Sequence, residues 1–144
     1  MYSVFLGGTC NGSTWRDELI PQLDEKTVSP FNPVVEHWDE EAQKREDFHK
    51  ANDDYTLYVL TPEMTGVYSV FEVAMDSMKR PGRVICCILK ERDGKAFEGH
   101  MLKNMSKIKK DLINNGTLVF DSLEEVADFL NSLGTNVKLT RQTD

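Results

Sequence analysis

Glu72 is placed where a carboxylate could do chemistry. Its neighbours Val70, Phe71, Val73 and Ala74 are apolar, and a carboxylate in a partly apolar pocket is suited to act as a nucleophile or a base. A glutamate on an exposed helix face has the same spacing, so periodicity leaves both readings open. Gly7-Gly8-Thr9-Cys10-Asn11-Gly12 has the glycine spacing of a phosphate-cradling loop, but Ser13 stands where the lysine of such a loop would be. Without that charge no triphosphate site is expected, and no G-x-G-x-x-G dinucleotide fingerprint is present. The loop is either a tight strand-to-helix turn or a place where backbone comes close to a small ligand. Trp15-Arg16 could stack on a ring and pair with an anion, or could be a helix face covering the sheet. Asp53-Asp54 reads as helix-end and turn chemistry. His37, His49 and His100 are scattered and lack companions at metal-ligand spacing, so no metal is expected. Cys86 and Cys87 lie side by side in an apolar run, where strand neighbours point to opposite faces and cannot readily pair. They read as core thiols, and Cys10 reads as a loop thiol.

These residues need elements to position them. Tyr2–Leu6 reads as a buried strand ended by Gly7-Gly8. Ser13 or Thr14 could cap a helix to about Leu23, with Asp17 and Glu18 in its first turn. Thr27–Val35 reads as a second strand, and Pro30 and Pro33 mark it as an edge. A charged helix follows over Trp38–Asn52, then a central strand over Tyr55–Leu60. Val67–Lys79 has Val70, Val73, Ala74 and Met78 at helical spacing. Arg83–Leu89 reads as a strand whose run Val84–Leu89 is continuously apolar, as one covered on both faces should be. A polar loop spans Glu91–Gly99, and helix is expected over His100–Asn114. A last strand covers Thr117–Phe120, and a final helix runs to Leu133. Strand and helix alternate throughout. This predicts an α/β protein with a flavodoxin-like, three-layer, open parallel five-stranded sheet in the order 2-1-3-4-5. Residues 1–134 are expected to form one domain and 135–144 a polar C-terminal tail.

Seventeen basic and 24 acidic residues give a net charge of −7, which argues against a nucleic-acid polymer and against a polybasic membrane anchor as partner. The N-terminus lacks a basic, apolar leader, so the expected compartment is cytoplasmic. In parallel sheets ligands bind beyond the carboxyl ends of the strands, at the switch between the first and third. The loops reaching that point carry Gly7, Gly8, Thr9 and Asn11, then Asn32 and the stretch from Glu36 to Asp39, then Thr61, Pro62, Glu63 and Gly66.

Four segments then match a known pattern together: Phe5-Leu6-Gly7-Gly8-Thr9, Phe31-Asn32-Pro33-Val34-Val35, Asp54 to Pro62, and Gly66 to Ala74. Their order and spacing resemble the nucleoside 2-deoxyribosyltransferase-like family from Val4 to about Leu130. The resemblance implies cleavage of the N-glycosidic bond of 2′-deoxynucleosides, with the deoxyribosyl group passed to another nucleobase and no metal or organic cofactor. Related hydrolases pass it to water and often prefer 5′-monophosphates. By resemblance Glu72 is the nucleophile, captured covalently at C1′, and the acid that protonates the departing base is Glu46 or Asp47. Phe5 stands where the family carries a tyrosine, Gly66 where it carries an aspartate, and Glu98 where it tends to carry asparagine. Glu63 is the nearest carboxylate that could stand in for the aspartate. Ser69 precedes the nucleophile, and Pro33 and Asp39 belong to the second loop. The stretch Gly94–Met101 corresponds to a loop that enters a neighbouring subunit's site, so a homo-oligomer is implied. Expected partners are deoxynucleosides or their 5′-monophosphates and free nucleobases. A hydrolase would place its phosphate near Gly8, Thr9, Asn11, Ser13 and Arg16. The lost aspartate keeps open a third reading, a non-catalytic nucleotide-binding module.

Overall fold

A computed structural model describes residues 1–10 and 12–143, with side chains described up to Thr135; Asn11 lies outside the described residues. The elements are β1 (Tyr2–Gly8), α1 (Trp15–Leu19), β2 (Val28–Phe31), α2 (Glu40–Asn52), β3 (Tyr55–Leu60), α3 (Tyr68–Lys79), β4 (Val84–Ile88), β5 (Glu91–Arg92), β6 (Lys95–Ala96), α4 (Gly99–Asn114), β7 (Leu118–Phe120) and α5 (Leu123–Thr143). Among the described residues five strands form one parallel sheet in the order β2-β1-β3-β4-β7. This is the flavodoxin-like order expected, with β7 as the fifth strand.

Alternation of side chains along each strand sorts the core into two halves. Val4, Leu6, Leu57, Val59, Ile85 and Cys87 face one side, under Trp15 and Leu19 of α1 and Val126, Ala127 and Leu130 of α5. Tyr58, Leu60, Val84, Cys86 and Ile88 face the other, under Val73 of α3 and Met105 and Leu112 of α4. Cys86 and Cys87 therefore lie on opposite faces, both buried and free, and Cys10 is exposed. Burial pushes the Cys87 thiol up to about 12, helped by Glu125 and Asp121, and pushes Cys86 higher still. Both are inert as nucleophiles.

Several boundaries differ from the expected ones. The first helix ends at Leu19 and tightens into a 3-10 turn over Ile20–Gln22, with Pro21 in its first positions. β2 stops at Phe31 rather than Val35: Pro30 has no N–H to give, and Pro33 lies beyond the last paired residue. α2 starts at Glu40, where Asp39 Oδ1 accepts the Ala42 N–H at 2.8 Å. The expected polar loop after β4 contains the β5–β6 hairpin, turned through Asp93 (φ 49°) and Gly94 (φ 78°), an Asp-Gly pair suited to a tight hairpin. α5 continues past Gly134 to Thr143. No helix among the described residues is long and apolar enough to cross a membrane.

Candidate active site between two helices

α3 turns Val73 and Ser77 into the core and leaves Tyr68, Phe71, Met75 and Met78 exposed. Glu72 lies between these faces, on the flank towards α2, with its side chain only 15% exposed. There the Lys50 ammonium donates to Glu72 Oε2. α2 is a highly charged helix that buries Ala42, so packing into the core does little to hold it. Its C-terminal end is held instead by Arg80, just past α3, which donates to the Lys50 carbonyl at 3.1 Å and to the Asp53 carbonyl at 2.6 Å. A cation at that end also suits the helix dipole.

Glu46 sits one turn before Lys50 on the same helix and is half-buried. Burial raises its pKa above the ordinary glutamate value. Lys50 opposes this, Glu72 and Asp47 reinforce it, Arg16 opposes it weakly, and the balance is upward. Burial, the largest single influence, pulls Lys50 down, but Glu72, Tyr68 and Glu46 together push it above the ordinary lysine value. Asp47 is exposed and accepts from Gln43 at 3.0 Å. Glu46, one of the two expected acid candidates, is coupled electrostatically to Glu72.

One turn past Glu72, Asp76 Oδ2 accepts from Thr56 Oγ1 at 2.6 Å and from the Tyr58 hydroxyl at 3.0 Å. Burial first, then Asp76 and Glu72, drive the Tyr58 phenol far above its usual range, so it stays protonated. Gly7 leaves no room for a side chain: a Cβ there would lie 2.9 Å from Phe5 Cε1 and 3.1 Å from Tyr58. Phe5 is buried and stacks on Phe31, with ring centroids 6.1 Å apart. Phe31 stacks on His49 at 3.8 Å and an interplanar angle of 8°. His49 Nδ1 pairs with Asp53 Oδ1 at 2.9 Å, consistent with the helix-end role expected of Asp53. Asp54 Oδ2 accepts from the Ser3 N–H and hydroxyl, tying β3 to β1.

The glycine loop is braced by its own side chains. Trp15 Nε1 donates to the Thr9 carbonyl at 2.8 Å. Arg16 is 3% exposed and donates to the carbonyls of Leu6 and Thr9, each at 3.0 Å, with Cys10 Sγ 3.9 Å away. Its guanidinium carbon lies 4.3 Å from the Trp15 ring centroid, and burial lowers its pKa. The helix-face reading of Trp15-Arg16 thus fits their contacts better than the anion-pairing one. The Thr61 N–H donates to Thr9 Oγ1 at 3.0 Å, joining the ends of β1 and β3. Glu63 Oε1 accepts from Ser13 at 2.6 Å and from Thr61 at 3.2 Å.

Arg92, carried by the hairpin, reaches back over this end of the sheet. It bonds Glu18 at 2.6 Å and Thr14 at 3.2 Å, and lies 3.6 Å from Glu63. An Asp-Gly turn in the sequence was the available signal for this latch; nothing in the sequence pointed to its partners. Arg92→Ala removes the guanidinium beside the largely buried Glu63 and the bonds to Glu18 and Thr14. It should cost about 1–3 kcal/mol in urea unfolding and raise amide exchange across residues 91–96.

Other expected site residues scatter. Asn32 is exposed and accepts from the Val34 N–H at 3.0 Å, bending the chain with Pro33 between β2 and α2. Asp39 is occupied as the cap of α2. Gly66 faces open space, and Ser69 is half-buried in the first turn of α3. Glu98 precedes α4 and is exposed. Met101 joins Met64, Val67 and Val70 around a groove of about 280 Å³ between α3 and α4. Val70 and Glu72 are two residues apart on a helix, hence about 200° around its axis. Within one chain, then, Glu98 and Met101 do not converge with Glu72. A further hollow of about 360 Å³ lies beyond β4, lined by Lys90, Met105, Ser106 and Lys109, and contains neither Glu72 nor Glu46. Sequence reasoning missed Lys50 and Arg80, although Lys50 stands four residues after Glu46. Among the described residues no cluster of three His, Cys, Asp or Glu is placed to hold a metal.

Fold and site together define an α/β protein of flavodoxin-like architecture, with a semi-buried carboxylate on the helix after its central strand. A family model described as nucleoside 2-deoxyribosyltransferase like matches residues 1–91, which span β1 through β4 and include Glu46, Lys50 and Glu72. The chain belongs to that family, and membership points to an enzyme of nucleoside metabolism with nucleosides and nucleobases as its class of substrate. No curated protein matches the chain, and no solved structure does.

Proposed function

We propose that the protein transfers the 2-deoxyribosyl group of a deoxynucleoside to another nucleobase, with Glu72 as nucleophile and Glu46 as acid and base. The observation that carries this reading is the pair of unlike carboxylates between α2 and α3. Glu72 is held by an ammonium, and Glu46 is pushed by burial towards its protonated form. A carboxylate fixed by a cation beside a carboxyl that favours its proton suits the roles of nucleophile and acid. In the first step Glu72 Oε1 bonds to C1′ as the C1′–N bond breaks. The bond's electron pair leaves with the base, which takes a proton from Glu46. In the second step Glu46 accepts a proton from the incoming base, whose nitrogen attacks C1′ and releases Glu72. Two displacements give net retention. Atoms and charges balance without a metal or organic cofactor. A 2′-hydroxyl withdraws electrons from the cationic sugar, so ribonucleosides should react poorly.

Water is the alternative acceptor. The hollow at Glu72 measures about 80 Å³, far below the roughly 300 Å³ of a site that encloses a small molecule. One chain alone therefore leaves the intermediate open to solvent, which favours some hydrolysis. The same openness, and the exposed Tyr68, Phe71, Met75 and Met78 beside it, support a homo-oligomer in which a second copy walls the site. Ser13 and Arg16 have donors committed within the chain, and Glu63 adds negative charge at that loop. This favours an unphosphorylated nucleoside over its 5′-monophosphate.

The test is incubation with deoxyinosine plus adenine or cytosine, resolved by chromatography. Exchanged deoxynucleoside supports transfer, free base alone supports hydrolysis, and tight binding with no turnover leaves only a binding module. Glu46→Gln should lower kcat by about 10²–10⁴-fold on unactivated substrates. Because Glu46 acts when protonated and its pKa is raised, activity should fall as pH climbs through that raised value. In Glu46→Gln this alkaline limb should disappear; its persistence would assign the acid to another group.

A further inference from the structure

We propose that Lys50 is a positioning residue for Glu72: its ammonium clamps Oε2 and leaves Oε1 to approach the anomeric carbon. The proposal rests on the reading of Glu72 as nucleophile. Three observations carry it. Lys50 donates to Oε2, while among the described residues Oε1 accepts no hydrogen bond. The backbone carrying Lys50 is also tied to the end of α3, since Arg80 bonds the Lys50 and Asp53 carbonyls. The pair is also partly desolvated, with side chains 32% and 15% exposed, so the charge-assisted bond is stronger than it would be on an open surface.

The other charges around Glu72 make the clamp necessary. Glu46 approaches from α2 and Asp76 lies one turn on in α3. The Tyr58 hydroxyl comes from β3, and Tyr68 and Lys79 complete the hollow. Among these groups Lys50 is the cation bonded to Glu72. Without Lys50, Glu72 would take up a proton more readily and its carboxylate would swing between rotamers. A protonated or misdirected carboxyl cannot capture C1′.

The experiment compares Lys50→Met, which keeps the aliphatic stem, and Lys50→Gln with Lys50→Arg, which keeps the charge. Glu72→Ala serves as the reference. In Lys50→Met, kcat should fall about 10–100-fold with KM nearly unchanged. The acid limb of the kcat profile should move to higher pH by about one unit, a tenfold rise in proton affinity. Lys50→Arg should restore most of both. Carboxyl carbon resonances of Glu72, followed by NMR across pH, should show the same displacement without reference to turnover. Lys50→Met with wild-type kcat and an unmoved acid limb, beside an inactive Glu72→Ala, would overturn the clamp alone. An active Glu72→Ala would overturn the nucleophile and the clamp together. If the wild type exchanges nothing, the transfer reading fails, and an unmoved Glu72 titration in Lys50→Met would then overturn the clamp separately.

Discussion

Glu72→Ala should lose deoxyribosyl transfer by at least about 10³-fold in kcat, the scale on which removal of a covalent nucleophile is felt. The residue works in two ways in the proposed sequence. Its charge lies beneath a developing oxocarbenium ion, and its oxygen then forms the bond that holds the sugar while one base leaves and another arrives. Alanine removes both. Glu72→Gln keeps the shape, loses the charge, and should fall nearly as far. Neither change should unfold the chain: the side chain reaches the surface, and its bonded partner Lys50 is itself a third exposed and can return to water. Thermal midpoints close to wild type, together with an absent exchange product, are the expected pair of results. Formate could enter the vacated hollow of about 80 Å³ and should restore part of the turnover in Glu72→Ala. A Glu72→Ala protein that exchanges deoxyinosine with adenine at the wild-type rate would remove the residue from the mechanism.

The second large effect falls on stability. Gly8→Ala should destabilise the fold by about 3–5 kcal/mol, read as a lower urea midpoint or a failure to accumulate. Two penalties add. Gly8 ends β1 with φ +110°, a conformation that a side chain rarely tolerates. A Cβ there would stand 2.2 Å from the Val59 carbonyl oxygen and 2.5 Å from the Val59 nitrogen. These are backbone atoms of the central strand, so relief would require prising β3 from β1. The adjacent Thr9 N–H donates to that same Val59 carbonyl at 2.8 Å, and this bond would suffer as well. Gly66→Ala is the matched control, because a Cβ at Gly66 meets nothing within 4 Å; it should stay within about 0.5 kcal/mol of wild type. Equal stability in the two variants would show that the turn after β1 is less constrained than its geometry indicates.

The glycine loop illustrates what could be read before the fold was known. Gly7-Gly8 reads either as a tight strand-to-helix turn or as close backbone approach to a small ligand, and the structure has the turn. What comes close is the chain itself, Val59 at Gly8 and Phe5 with Tyr58 at Gly7. A sequence records that a side chain is excluded, not what excludes it. Arg16 shows the same limit. A basic residue just past a polar loop has the pattern of an anion site, yet its guanidinium turns inward to the carbonyls of Leu6 and Thr9. Asp39 and Asn32, expected among the loop ligands, are engaged in local backbone bonds. Such short polar side chains serve turns and caps as readily as ligands.

The sheet order, the layer assignment and the placement of Glu72 on the helix after the central strand were legible in the sequence. These depend on apolar runs, helical spacing and the handedness of parallel crossovers, which are local or general rules. The partnership of Glu72 was not. Lys50 stands 22 residues away on a separate helix, and α2 gives little hydrophobic signal of which face meets α3. The choice of Glu46 over Asp47 likewise depended on which way that helix turns. The latch from Arg92 to Glu18 joins residues 74 apart. By itself, then, the sequence determined the architecture and the helix that carries the carboxylate. Only the tertiary structure decided which charges surround it, because contacts between distant elements are set by packing and long-range geometry rather than by spacing along the chain.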